Sequence, residues 1–168
     1  MMIEFVEFLK DALKYIILIA IIILIRIFIL TGSEVIGHSM NPTLEDGNLL
    51  LVNQLTGKFV GYERFEVIAV HNNKEFLIKR VIGLPGEKIQ YLNNQLYIDE
   101  VIIKDYKNIL GKTYDFGPFL IEENKYFVMG DNREDSNDSR SFGVIDKSQI
   151  IGKPFLIIWP FNRLSVVN

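Results

Sequence analysis

Hydrophobic residues run unbroken from 15 to 25, Arg26 interrupts, and 27–30 resume, a stretch near the roughly 20 apolar residues that a bilayer-spanning helix needs. It is rich in Ile and Leu and has no polar face, so it does not describe an amphipathic soluble helix. Ahead of it, Phe5, Phe8, Leu9 and Leu13 are set against Glu4, Glu7, Lys10 and Asp11, which predicts an amphipathic extension of the same helix over 1–14. Beyond residue 44 the pattern switches to short β-rich runs broken by turn residues. The runs 49–52, 65–71, 76–82, 88–92, 95–99, 125–129, 149–151 and 155–159 read as strands. Asn93-Asn94 suits a two-residue hairpin turn, and 106–119 reads as a long loop. The expected fold is mainly β: an antiparallel β-barrel or sandwich-type outer domain over 31–168, behind one N-terminal transmembrane α-helix over 15–30.

Charge then orients that arrangement. Lys10 and Lys14 precede the span, whereas no Lys or Arg occurs from 31 to 57, so the N-terminus is expected in the cytoplasm and the outer domain outside. Arg26 lies near one end and can snorkel to the headgroups. The apolar run is too long for a cleaved secretory signal, and no Ala-x-Ala-like site follows it. The net charge of −3 over 168 residues leaves no electrostatic footprint for nucleic acid. Cysteine is absent, which excludes thiol catalysis, cysteine-ligated metal and disulfides, and the two histidines, His38 and His71, lack partners at ligand spacing. Neither a metal nor a cofactor is expected. Trp159-Pro160-Phe161 reads either as an aromatic edge at the membrane interface or as ordinary core.

Three polar stretches interrupt the apolar pattern. Gly37-His38-Ser39-Met40-Asn41-Pro42-Thr43-Leu44 is a turn in which Pro42 removes a donor and restricts Asn41, while Gly37 frees the backbone ahead of Ser39. Such a turn presents a hydroxyl, or simply links membrane to domain. In 76–82, Lys79 and Arg80 sit side by side in an otherwise apolar strand, and alternation sends them to opposite faces, at least one of them crowded. Burial lowers a lysine pKa and makes a general base of it, which arginine cannot become, so Lys79 is the candidate base and Arg80 a structural or ion-pairing residue. The bland alternative is an edge strand carrying charges against aggregation. The run 130–140, Gly-Asp-Asn-Arg-Glu-Asp-Ser-Asn-Asp-Ser-Arg, fails as a calcium loop because Arg133 takes a ligand place and Ser136 the place of the required glycine. It suits a hydrogen-bonded platform behind a site.

Taken together, Ser39-Met40-Asn41-Pro42-Thr43-Leu44, the run from Lys79 to Gly86 and the run 130–140 resemble, in order and spacing, the three boxes of the type I signal peptidases, membrane-anchored Ser–Lys serine proteases. The resemblance implies that Ser39 is the nucleophile and Lys79 its general base. It further implies that Ser136 orients the lysine, that Asp131 pairs with Arg80, and that Asp138 pairs with Arg140. The Ser39 N–H would be one oxyanion donor. The place of a second, a hydroxyl residue in some members, holds Gly37, and Arg64-Phe65-Glu66-Val67 stands where the family often has Arg-Gly-Asp. The single anchor, small outer domain and Gly37 resemble the short Gram-positive enzymes.

The implied activity is removal of signal peptides from exported preproteins at the outer face of the cytoplasmic membrane, with lipid around the anchor. The substrate is expected to bind extended at an open sheet edge, in shallow pockets around Met40 and Pro42 that accept small side chains. Three rivals stand beside this reading. A self-cleaving Ser–Lys repressor lacks any use for the anchor. A non-catalytic assembly factor for surface proteins would need neither Ser39 nor Lys79. A His-based hydrolase would need an orienting acid for His38 or His71 that is not evident.

Overall fold

In the computed structural model the described residues are 2–28, 30–57, 61–72 and 75–167, with the side chains of 2–6, 9 and 25–28 outside that description. The chain opens with helix α1 (Met2–Phe28) and passes into strand β1 (Leu30–Glu34). Then follow β2 (Leu49–Asn53), β3 (Val67–Asn72), β4 (Glu75–Gly83), β5 (Lys88–Leu92), β6 (Gln95–Ile98), β7 (Val101–Ile103), β8 (Phe116–Leu120) and β9 (Lys125–Met129). A short helix α2 (Ser139–Phe142) and strands β10 (Ile145–Asp146), β11 (Ile150–Trp159) and β12 (Ser165–Val166) complete the fold. Every strand pairing is antiparallel.

Eight strands form one sheet in the order β1-β2-β11-β3-β4-β9-β10, with β12 on β11, and four form a second in the order β7-β6-β5-β8. The large sheet centres on β3 and β4, whose β-branched runs are buried on both faces. In β4, Ile78 and Ile82 flank Arg80 on one face, while Val81 shares the other with Lys79. A cluster with Met40, Leu44, Leu50, Val67 and Ile78 lies beneath the 37–44 turn. Another, with Ile82, Ile89, Tyr91, Phe127 and Met129, joins the two sheets. β9 pairs with β4 only from Arg80 onward, so the opposite edge of 75–79 has no strand partner among the described residues.

Several sequence expectations shift. Leu30, expected to close the helix, opens β1, an edge strand whose Thr-Gly-Ser content hid it from the pattern. The expected loop 106–119 contains the start of β8, where Gly117-Pro118 reads as a break but is tolerated because β8 is an edge strand. Apart from Gln149, which ends a 3-10 turn, the runs 149–151 and 155–159 belong to one strand, β11, whose register shifts between Pro154 and Leu156 to absorb the proline. Asn93 and Asn94 do form the tight turn, with φ of 51° and 61°.

Among the described residues no helix is long and apolar enough to cross a membrane. Ile29 and the side chains of Phe5, Leu9 and Arg26 lie outside the described set. From Tyr15 to Leu24 the large apolar side chains of α1 are all exposed.

Candidate active site

The 37–44 turn, β4 and the 130–140 loop meet at Ser39. The turn carrying it is closed by Asn41 N donating to His38 O at 3.1 Å and Leu44 N to Met40 O at 2.9 Å. Gly37 has φ +85°, a conformation that costs a side-chain-bearing residue energy, and its N–H donates to Asp46 Oδ1 at 2.7 Å. Met40 and Leu44, 1 % and 0 % exposed, anchor the turn in the core and leave Ser39 half-buried between them and solvent. The Ser39 N–H makes no hydrogen bond among the described residues.

Lys79 comes from the centre of β4 opposite Ile68 and is 2 % exposed. Its Nζ donates to Ser39 Oγ at 2.5 Å. Burial pushes its pKa down to about 8; the Asp138 carboxylate pulls it up, Arg140 pushes it down, and Asp131 and Asp135 pull it up more weakly. Near neutrality about a tenth of this amine is therefore deprotonated, far more than for an ordinary lysine, and in that form the same contact runs from hydroxyl to nitrogen.

Arg80, on the other face, is fully buried. It forks onto Asp131, Nε to Oδ1 and Nη2 to Oδ2 both at 2.7 Å, donates to Phe65 O at 2.6 Å, and stacks on the Tyr106 ring at 3.6 Å. Asp131 Oδ2 also accepts from Thr43 Oγ1 at 2.5 Å, which ties the nucleophile turn to the 130–140 loop. Phe65 holds a left-handed backbone with φ 71°.

The loop itself closes over the pair. Asn132 N donates to Ser39 O at 3.0 Å and its Nδ2 to His38 O at 3.3 Å. Gly130 has no room for a side chain: a Cβ there would lie 2.3 Å from Ser136 Oγ and 2.4 Å from Ser39 O. Asp138 is 0 % exposed, accepts from Gly130 N at 3.0 Å, and holds Arg140 Nε and Nη2, each at 2.8 Å. Burial raises the Asp138 pKa, but the Arg140 hydrogen bonds and charge, the Gly130 amide and Ser136 outweigh it and hold the carboxyl below its ordinary range.

The expected pairs Arg80–Asp131 and Asp138–Arg140 are thus both present beside the Ser39–Lys79 contact. Ser136 differs from expectation. Its Oγ is buried against Gly130 without a hydrogen-bond partner of acceptable geometry, so the expected bond to Lys79 is not formed, although the hydroxyl is close enough to Asp138 to favour its charged form. Met40 lines a cavity of about 70 Å³ together with Glu34, Val35, Ile36, Ser39, Lys79 and residues of β4. Pro42 is exposed and does not line it, because the turn directs it away from β4. Thr43, Asn132 and Tyr106 were not singled out from sequence; the first two lie inside the polar stretches, but nothing in residue type marks them as contacts.

A serine hydroxyl in contact with a buried, readily deprotonated lysine, on an antiparallel β fold, defines a class of hydrolase that activates serine with an amine. The comparisons with known proteins name the family. The model for "Signal peptidase, peptidase S26" matches residues 7–159. A signal peptidase I from Bacillus caldolyticus is 40% identical, covering 88% of this chain and 89% of that protein. A signal peptidase IB from Staphylococcus aureus is 39% identical over 93% of this chain and 94% of its own length. The crystal structure of a signal peptidase I from Enterococcus faecalis V583, 33% identical, covers 55% of this chain and 95% of that one with a TM-score of 0.49. The chain belongs to the signal peptidase family, peptidase S26, and is a serine endopeptidase.

Proposed function

We propose that this protein removes signal peptides from exported preproteins at the outer face of the cytoplasmic membrane, with Ser39 as nucleophile and Lys79 as general base. The 2.5 Å contact between Lys79 Nζ and Ser39 Oγ, on a lysine with a pKa near 8, carries the reading. Neutral Lys79 takes the Ser39 proton as Oγ attacks the scissile carbonyl, and the Ser39 N–H meets the developing oxyanion. The ammonium then gives its proton to the leaving amine, which frees the mature protein. Lys79, neutral again, takes a proton from the water that hydrolyses the ester to Ser39.

The unpaired edge of 75–79 supports binding of the substrate as an added strand. The cavity of about 70 Å³ between that edge and Met40 fits a small side chain next to the scissile bond. Gly37 offers no hydroxyl and its N–H is engaged by Asp46, so a second oxyanion donor is not drawn from that position.

The apolar stretch of α1 serves as a single membrane anchor with its N-terminus in the cytoplasm, a reading supported by the exposed side chains from Tyr15 to Leu24 and the charge asymmetry around them. Trp159 and Phe161, 47 % and 75 % exposed and packed edge-on at 4.8 Å, favour contact with the membrane interface over a core role. The bacterial relatives support a bacterial source. An assembly factor without catalysis has no use for the intact dyad.

The test is incubation of the detergent-solubilised, folded protein with a preprotein, followed by N-terminal sequencing. A single new N-terminus after a small residue, lost in Ser39→Ala, is expected. An uncut preprotein would favour the assembly-factor reading.

A further inference from the structure

Consecutive residues of the 130–140 loop face two ways. Gly130, Asp131 and Asn132 touch Ser39, Thr43 and Arg80, whereas Arg133 turns into the second sheet. Its side chain is fully buried. Nη1 donates to Tyr91 OH at 2.6 Å, Asp105 Oδ2 at 2.7 Å and Thr113 Oγ1 at 3.0 Å, and Nη2 to Asp105 Oδ1 at 3.1 Å. Nε donates to Gly130 O at 3.1 Å, the residue whose Cα lies against Ser39 O. Tyr91 sits on β5, and Asp105 and Thr113 on the segment between β7 and β8. That segment also meets the loop through Leu110, whose N donates to Asp131 O and whose O accepts from Arg133 N, both at 2.8 Å. On the dyad side, Arg140 Nη1 donates to Arg133 O at 2.7 Å.

Burying a guanidinium for stability alone is a poor exchange, since well-packed apolar residues do as well or better. What the fork supplies is fixed direction: several donors set one orientation of the loop against Tyr91, Asp105 and Thr113 at once.

We infer that Arg133 is a positioning residue for the reaction, locking the dyad loop to the four-stranded sheet so that Gly130, Asn132 and Asp138 hold Ser39 and Lys79 in contact and exclude water from the amine. The inference rests on the Ser–Lys reading. The charged groups around Lys79 are Asp131, Asp135, Asp138 and Arg140 from the loop, Arg80 beside it on β4, and Glu34 across the cavity. The loop supplies four of these six as well as the cover. If it loosens, hydration of Lys79 dominates the change, because burial is the largest influence on that amine.

The test uses the full chain in detergent and a peptide spanning a cleavage site, with wild type, Arg133→Lys, Tyr91→Phe and Lys79→Arg compared by thermal melt, kcat, KM and the pH dependence of kcat/KM. Arg133→Lys keeps the charge and loses the fork. It is expected to lower kcat roughly ten- to a hundredfold with little change in KM, the cost of a misplaced reacting pair. The acid limb of its profile is expected to move to higher pH. Tyr91→Phe, which removes only a hydroxyl, is expected to shift both in the same direction by less, and decides the matter alone if Arg133→Lys does not fold. Folded variants with a lower melting temperature but an unmoved pH profile and kcat would make Arg133 a structural residue and overturn the inference. Activity in Lys79→Arg would instead overturn the Ser–Lys reading beneath it.

Discussion

At the scale of single residues, two neighbours in the loop are held in opposite ways and answer mutation differently. Asp138 is a buried carboxylate satisfied by Arg140 and by the Gly130 amide. Asp138→Ala leaves both unpaired and is expected to cost about 3–5 kcal/mol, read as a large fall in melting temperature. Because the folded-state pKa of Asp138 is depressed, its contribution is present above the ordinary carboxylate pKa and is lost as pH falls through the lower folded value. Asp138→Asn should therefore flatten the acid side of the stability profile. Ser136 has a buried hydroxyl without a partner, so Ser136→Ala is expected to leave the melting temperature unchanged or slightly raised. Its turnover is expected to fall, since that hydroxyl favours the charged form of Asp138, whose carboxylate acts on Lys79; unchanged turnover would remove Ser136 from the site. Residue type alone left Ser39 open as a turn residue and Lys79 as an edge charge; Ser39, Lys79 and the two ion pairs were legible through the resemblance of three polar stretches, in order and spacing, to the boxes of one family. The direction of the Ser136 hydroxyl was not, because it depends on a rotamer set by Gly130 and Asp138 in space.

Between elements, the site depends on a close approach that no pattern of hydrophobicity records. Ser39 O and Ser136 Oγ both lie where a Gly130 side chain would go, and Ser39 O is backbone that cannot swing aside. Gly130→Ala is therefore expected to push β9 and the nucleophile turn apart, lowering turnover by about a hundredfold while the sheet survives. Near wild-type turnover in a folded Gly130→Ala would show that the turn yields freely. The same distinction separates the strands that were readable from those that were not. β9 was matched to the residue, as it is an apolar run buried between β4 and β10. β1, β7 and β8 are short edge strands stabilised by their neighbours; Gly, Ser or Pro hid β1 and β8, whereas β7 is β-branched throughout but only three residues long. β11 looked like two strands because Pro154 interrupts the alternation, and only the bulge opposite β2 lets the ladder continue.

For the whole molecule, we propose that the chemistry lies in the β domain and that the helix serves location. A fragment from residue 31 onward is expected to fold by circular dichroism, with weak peptidase activity that detergent or lipid improves; a folded but inert fragment would give α1 a direct part in the site. The architecture was legible as antiparallel β with an apolar N-terminal helix, but the division into two sheets joined through Arg133 was not, because that arginine resembles any charge in a polar loop. The central claim is that the site works through a neutral Lys79, and its most direct measurement is preprotein turnover by the folded full-length wild type and Lys79→Arg across a pH series. The wild type is expected to be inactive in acid and to rise with pH through about 8, where the buried amine loses its proton, and Lys79→Arg to be inactive throughout. Turnover by folded Lys79→Arg near that of the wild type, or a wild-type profile flat through that range, would contradict it.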